Sequence, residues 1–215
     1  MEIIYYVIAL VFSVMAHEVA HGLVADRLGD PTARLANRLN FNPVNHIDPF
    51  GSVLLPALMY LMTAPLGQPI VFGWAKPVPY NPYNLKNPKV GAGLIAVAGP
   101  LTNIFLAVIF GLILRAATIP GLVALAQLSI IVVLLNIVLA VFNLVPIPPL
   151  DGSKVLFSIL PASFSNLRIW LEQYGFILLL FFIFFGFSII MPVIDFLFYL
   201  IVGNSLPAQA GLYST

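Results

Sequence analysis

Residues 13–30 read SVMAHEVAHGLVADRLGD. Two histidines and a glutamate stand here near the end of one of the most apolar runs in the chain. Ionisable side chains are costly in hydrocarbon, and those that occur there usually serve a function. His17 and His21 lie four residues apart, so on a helix both imidazoles share one face and can hold one Zn²⁺. Glu18, next to the first of them, can reach the water on such a metal and act as its base. The alternative is a polar cluster that only ties helices together. That reading leaves three ionisable groups in hydrocarbon without a use, so the spacing favours a metal centre.

Composition sets the solvent. Of 215 residues, 61% are hydrophobic and 8% charged, and mean hydropathy is +1.05. A soluble domain carries about 25% charged residues, so this chain reads as an integral membrane protein. Its length suits one domain, 1–215, of four to six helices. A net charge of +1 suggests no nucleic-acid partner, and the absence of cysteine excludes disulfides and thiolate ligands. The opening run lacks a basic start and a small-residue cleavage site, so it reads as a retained helix rather than a signal peptide.

Outward from the motif, the first helix covers 3–28 and stops at Gly29-Asp30-Pro31. Residues 52–66 are apolar, but contain Pro56 and Pro65 and are short for a crossing that needs about 20 residues. Spans follow at 90–115 and 121–143, the first with small residues at Gly91, Gly93, Ala96, Gly99 and Thr102 suited to close helix contact. The next stretch, NLVPIPPLDG (143–152), has three prolines in four positions and must break the helix. A short helix restarts over 152–160, and 174–202 forms a last span with Pro192 and Asp195 inside it.

A catalytic zinc site wants a third protein ligand. His46, Asp26, Asp30, Asp48, Asp151, Asp195, Glu2 and Glu172 are the candidates. Asp26 and Asp30 lie a turn or more beyond His21 and cannot readily fold back, and Glu2 is at the far end of the helix. His46 and Asp48, in NHIDPFG, read as turn residues, and Asp195 as a partner for backbone freed by Pro192. Asp151 stands out because irregular backbone at membrane depth is tolerated where it lines a cavity or is buried in protein.

Taken together, the His17–His21 motif on a membrane helix, AGPLTN (98–103), and Asn143, Pro146, Asp151 and Gly152 in N-x-x-P-x-x-x-x-D-G resemble the site-2 protease family of intramembrane zinc metalloproteases. The resemblance covers roughly residues 10–160. It implies that His17, His21 and Asp151 ligate Zn²⁺, that Glu18 activates the water, and that Asn143 helps hold substrate or the oxyanion. It also implies a catalytic core over about 3–160, transmembrane proteins or membrane peptides as substrates, and a re-entrant strand ahead of the AGP helix. GSVLLP (51–56) and IVFGWAKPVP (70–79) are candidates for an edge that could hold an unwound substrate by β-addition. The chain has no room for the PDZ or CBS domains of many relatives, so it reads as the minimal core.

The ligand set tests the ambiguous segment. If 52–66 crosses, Asp151 ends on the opposite face from His21; if it re-enters, two spans intervene and Asp151 returns. With re-entry, eight of the nine basic residues share one face and only Arg115 lies opposite; with a crossing they split five to four. The positive-inside rule favours the lopsided count and makes that face cytoplasmic. The expected fold is therefore all-α: about four transmembrane helices, a re-entrant segment and a broken helix carrying the third ligand, in a multi-pass protein of the cell membrane. About fifteen residues of helix put His17 some 22 Å from the outer end, so hydrolysis there needs a wet channel walled by loops 31–50 and 67–90. A metal-ion transporter would show repeats and polar residues along several helices. An inactive scaffold that binds membrane helices would not require Glu18.

Overall fold

The computed structural model describes residues 2–67, 73, 75–116 and 123–203. It is helical, with no strand among the described residues. Helix α1 (Glu2–Arg27) ends where Gly29 turns left-handed at φ 104°, a conformation that side-chain-bearing residues disfavour. Two short helices follow, α2 (Thr32–Leu35) and α3 (Pro43–His46). A π-wound segment, Pro49–Leu54, then runs directly into α4 (Leu55–Thr63).

The first candidate edge, GSVLLP, is therefore helical and cannot pair as a strand. The reason is local. The Asp48 carboxylate accepts from Phe50 N at 2.9 Å and Gly51 N at 2.7 Å, and Pro49 follows it. A capping aspartate with proline in the first turn starts a helix. The second candidate, IVFGWAKPVP, lies partly outside the described residues. Of its described residues, 75–79 run without helix and meet α1 where Val78 N–H donates to Glu18.

Helix α5 (Pro88–Ala116) and α6 (Val123–Asn143) form the centre, α7 (Asp151–Ile159) follows the proline break, and α8 (Ser165–Phe181) and α9 (Phe187–Val202) close the chain. Four helical runs are long and apolar enough to cross a membrane: Ile4–Arg27, Pro88–Arg115, Leu125–Asn143 and Ala162–Val202. The last is 41 residues long and starts well before the expected 174. Its first turns, SNLRIWLEQYG, are polar, and polarity alone does not end a helix. Arg168 pairs with Glu172 one turn on at 2.8 Å, the spacing that supports an exposed helix. The helix over 49–63 has 15 residues, about 22 Å at 1.5 Å each, short of a roughly 30 Å hydrocarbon layer.

Small and apolar side chains on α5 decide the packing. Ala107 and Leu114 meet Val133 and Ile137 of α6 and Ile190, Ile194, Phe198 and Val202 of α9 in the main core. At its other end α5 leans on α1, where Ile95 packs with Ala25 and Leu85. Outward faces carry Phe176, Ile177, Phe181, Phe184 and Phe185 exposed, more contiguous apolar surface than a water-soluble monomer shows and appropriate to lipid.

The break before α7 is a packed structure. Leu150 N donates to the Ile147 carbonyl at 2.9 Å, and Ser153 returns both N and Oγ to the Leu150 carbonyl. Gly152 backs directly onto the Leu144 carbonyl, so an added methyl would collide with backbone. Gly175 of α8 does the same against the Pro148 carbonyl, a Cβ there lying 2.6 Å away. Gly152→Ala is expected to cost about 1–3 kcal/mol, the usual range for overpacking. Lowered thermal stability of the detergent-solubilised protein checks it; an unchanged melt would mean the break is looser than described.

Candidate metal centre

Three elements deliver the site. His17 and His21 stand one turn apart on α1, both buried, and Asp151 opens α7, also buried. Asp151 Oδ2 lies 3.0 Å from His17 Nε2 and 3.0 Å from His21 Nε2. Ligand atoms of His17, Glu18 and His21 all fall within 4.8 Å of one another. Two spans separate His21 from Asp151, and the proline break returns the carboxylate to the face of α1 that carries the histidines. Among the eight candidates for a third ligand, this is the one the fold brings to the pair.

The other ring nitrogens fix the chemistry. His21 Nδ1–H donates to the Ile95 carbonyl at 2.6 Å, and His17 Nδ1–H donates to Asn103 Oδ1 at 2.6 Å. With each proton on Nδ1, both Nε2 atoms present lone pairs, and they face a carboxylate oxygen that also only accepts. Three acceptors aimed at one point repel unless a metal cation or a proton lies between them. Tetrahedral zinc at its usual bond lengths of about 2.0–2.1 Å sets ligand atoms about 3.3 Å apart, close to the separations here. Room is left as well: a Cβ on Gly99 of α5 would sit 2.5 Å from His17 Nε2 and 2.6 Å from His21 Nε2. The donor set and the space fit Zn²⁺.

Around this cluster run two restraints. Asp151 Oδ1 receives Lys154 Nζ at 3.3 Å, so the two carboxylate oxygens have different partners. Segment 75–84 is strapped across α1. Val78 N donates to Glu18 Oε2 at 2.8 Å, Arg38 donates to the Lys76 carbonyl at 2.7 Å, and Lys76 N donates to the His46 carbonyl at 2.9 Å. Asp30 anchors the strap's end, accepting from Asn81 N at 2.6 Å and Asn84 Nδ2 at 2.7 Å. Burial pushes the Asp30 carboxyl up, but Thr32, Asn84 and Asn81 outweigh it and hold it below the usual carboxylate range.

Other sequence candidates go elsewhere. His46 is buried and hydrogen-bonds the Asn40 carbonyl, Asp48 caps its turn, and Asp26 pairs with Arg34 at 3.3 Å. Asp195 lies on the exposed face of α9. Asn143 donates its amide to the Leu139 carbonyl of its own helix at 2.9 Å. Ser13, the Asn103 amide, Asn136 and Lys154 join the cluster although the motif spacing alone does not single them out. For Asn136 the available signal was an amide in the middle of an apolar span.

Comparison with known proteins agrees. Residues 122–185 match the model of peptidase family M50. The Bacillus subtilis protein named "Putative zinc metalloprotease YwhC" is 38% identical over 186 residues, covering 82% of this chain and 78% of the relative. The chain belongs to peptidase family M50. A second relative, "Putative zinc metalloprotease MJ0611" of Methanocaldococcus jannaschii, is 50% identical over 64 residues, 30% of this chain and 32% of its own length. No solved structure matches this M50 protein. Membership bears out the resemblance to site-2 proteases and makes zinc the cofactor of a multi-pass membrane metalloprotease family.

Gly99→Ala in this M50 chain fills the space in front of both Nε2 atoms. Purified variant protein is expected to hold less than about a tenth of the zinc of wild type, the scale of a disturbed ligand set, while its far-UV helix signal stays. Full zinc content in that variant would show that the approach of α5 to the histidines is not required.

Proposed function

We propose that this M50 chain is an intramembrane zinc endopeptidase that cleaves transmembrane or membrane-bound substrates. The observation that carries it is the convergence of His17 Nε2, His21 Nε2 and Asp151 Oδ2, with Glu18 beside them, on a helix long and apolar enough to cross a membrane. In this reading His17, His21 and Asp151 hold the metal. When bound, zinc supplies a Lewis acid for the scissile carbonyl and a lowered pKa for the attacking water.

The chain's own residues do the rest. Glu18 takes a proton from the attacking water as its oxygen bonds to the carbonyl carbon. It then gives that proton to the departing amide nitrogen as the C–N bond breaks, so carboxylate and amine products balance the water consumed. In the resting fold one oxygen of Glu18 is engaged by Val78 N–H, which holds the carboxylate on the side of the strap. Lys154 engages Oδ1 of Asp151 and leaves Oδ2 to the histidines. Asn143 is the candidate for holding substrate or the oxyanion; the Leu139 carbonyl takes one of its two amide hydrogens, which fixes the direction of the other. A helical substrate hides its peptide groups in its own hydrogen bonds and must unwind before attack. Segment 75–80, which is not helical, reaches the site through Val78 N–H on Glu18.

Orientation follows from charge. With helix 49–63 not crossing, eight of nine basic residues fall on the face that carries Asp151 and the strap. The positive-inside rule assigns that face to the cytoplasm of a cell-membrane protein.

Glu18→Gln keeps the shape of the site and removes the base. It is expected to retain wild-type zinc content and to lose at least about 10²–10⁴-fold in cleavage of a single-span substrate in detergent or liposomes; undiminished cleavage would exclude Glu18 as base. Because the chain lacks cysteine, single introduced thiols report topology. Asn87→Cys is expected to react with an impermeant maleimide only after the cell is opened, and Thr118→Cys in intact cells. The reverse pattern would invert the assigned orientation.

A further inference from the structure

We infer that Asn103, itself fixed by Asn136 and Ser13, is the positioning residue that sets the tautomer and ring orientation of His17, and so how tightly the site holds its metal. This rests on the metal-ligand reading of His17 above. Ser13, Asn103 and Asn136 are fully buried, and they come from α1, α5 and α6, so the chain of bonds links three helices long and apolar enough to cross a membrane.

The direction of that chain follows from one fixed end. The Val132 carbonyl can only accept, so Asn136 must present its amide nitrogen there, at 2.8 Å, and the same nitrogen donates to Ser13 Oγ at 2.7 Å. Asn136 Oδ1 then faces Asn103, which must answer with its own amide nitrogen at 2.8 Å; the Ser13 carbonyl takes the other hydrogen at 3.4 Å. Asn103 is left with Oδ1 toward His17 Nδ1 at 2.6 Å. An acceptor there requires the ring proton on Nδ1, and the lone pair on Nε2 is thereby turned toward His21 and Asp151. A flipped Asn103 would put a donor against that nitrogen and favour the wrong tautomer. His21 differs: its Nδ1 is held by a backbone carbonyl, which no side-chain substitution removes.

The competing account is that these amides merely tie three helices together, as buried polar groups in membranes do. Two features point past it. The chain ends on the ring of a site histidine instead of closing among amides. Ser13 also sits one turn before His17 on the same face of α1, so a single helix supplies both the anchor and the group being oriented.

Zinc affinity separates the two accounts, measured by competition with a chromophoric chelator on the full detergent-solubilised chain, alongside thermal melts of the metal-free proteins. Asn103→Leu is expected to weaken zinc about 10–100-fold, the usual cost of losing an outer-shell partner. Asn136→Leu is expected to weaken it about 10-fold, the low end of that range. The double variant should bind no more weakly than Asn103→Leu alone, because Asn136 acts through Asn103. Cobalt-substituted protein should show a shifted ligand-field band in both single variants, and Ser129→Ala, another buried hydroxyl of α6, should change neither readout. If both variants melt earlier yet bind zinc as wild type does, or if their affinity losses simply add, the inference is overturned. Should Asn103→Leu fail to fold, Asn136→Leu decides by the same criteria. If wild-type protein binds no zinc, the metal-ligand reading itself fails, a result distinct from equal affinity across the series.

Discussion

Two imidazole lone pairs and a carboxylate oxygen, aimed at one another across 3.0 Å inside a membrane protein, cannot coexist without positive charge between them. Each ring proton is already committed on the far side, to a backbone carbonyl for His21 and to a side-chain amide for His17. In water such a cluster would be screened by solvent; in a low-dielectric surrounding the repulsion is large. Much of the fold can be understood as what is needed to keep this arrangement in place.

That requirement distributes over the whole chain. Helix α5 must come close enough to close the site without filling it, which is why Gly99 faces both Nε2 atoms. The polypeptide must stop being a helix after Asn143 so that Asp151 can turn back, and three prolines enforce the stop while Gly152 and Gly175 let neighbouring backbones pack against it. On the polar side, Asp30, Arg38 and the His46 carbonyl bind segment 75–84 over α1, and Val78 N–H reaches Glu18. The buried Ser13–Asn136–Asn103 chain links the three central helices to the same histidine.

Much of this was legible in advance where one residue type has one use. H-E-x-x-H on an apolar helix points to a metal because three ionisable groups at that spacing are costly in hydrocarbon without one. The proline run before Asp151 means a break, and Gly29 a helix stop. Legibility failed where a short segment has two backbone solutions. GSVLLP is apolar and short, as an edge strand can be, but the Asp48–Pro49 cap winds it into a helix. The final helix was cut short because its first turns are polar, although Arg168 and Glu172 sustain them one turn apart.

The chain's chemistry determined the solvent, the shared helix face of His17 and His21, the place of Glu18 beside them and the break ahead of Asp151, because these follow from composition, helical spacing and the conformational limits of proline. Only the tertiary structure decided which of eight acidic or histidine candidates meets the pair, that GSVLLP winds into a helix, and that Asn136 backs Asn103, which in turn meets the His17 ring. The first and last of those outcomes depend on distances between residues 33 to 134 positions apart. Such distances are set by helix packing across the bilayer, which no local pattern encodes.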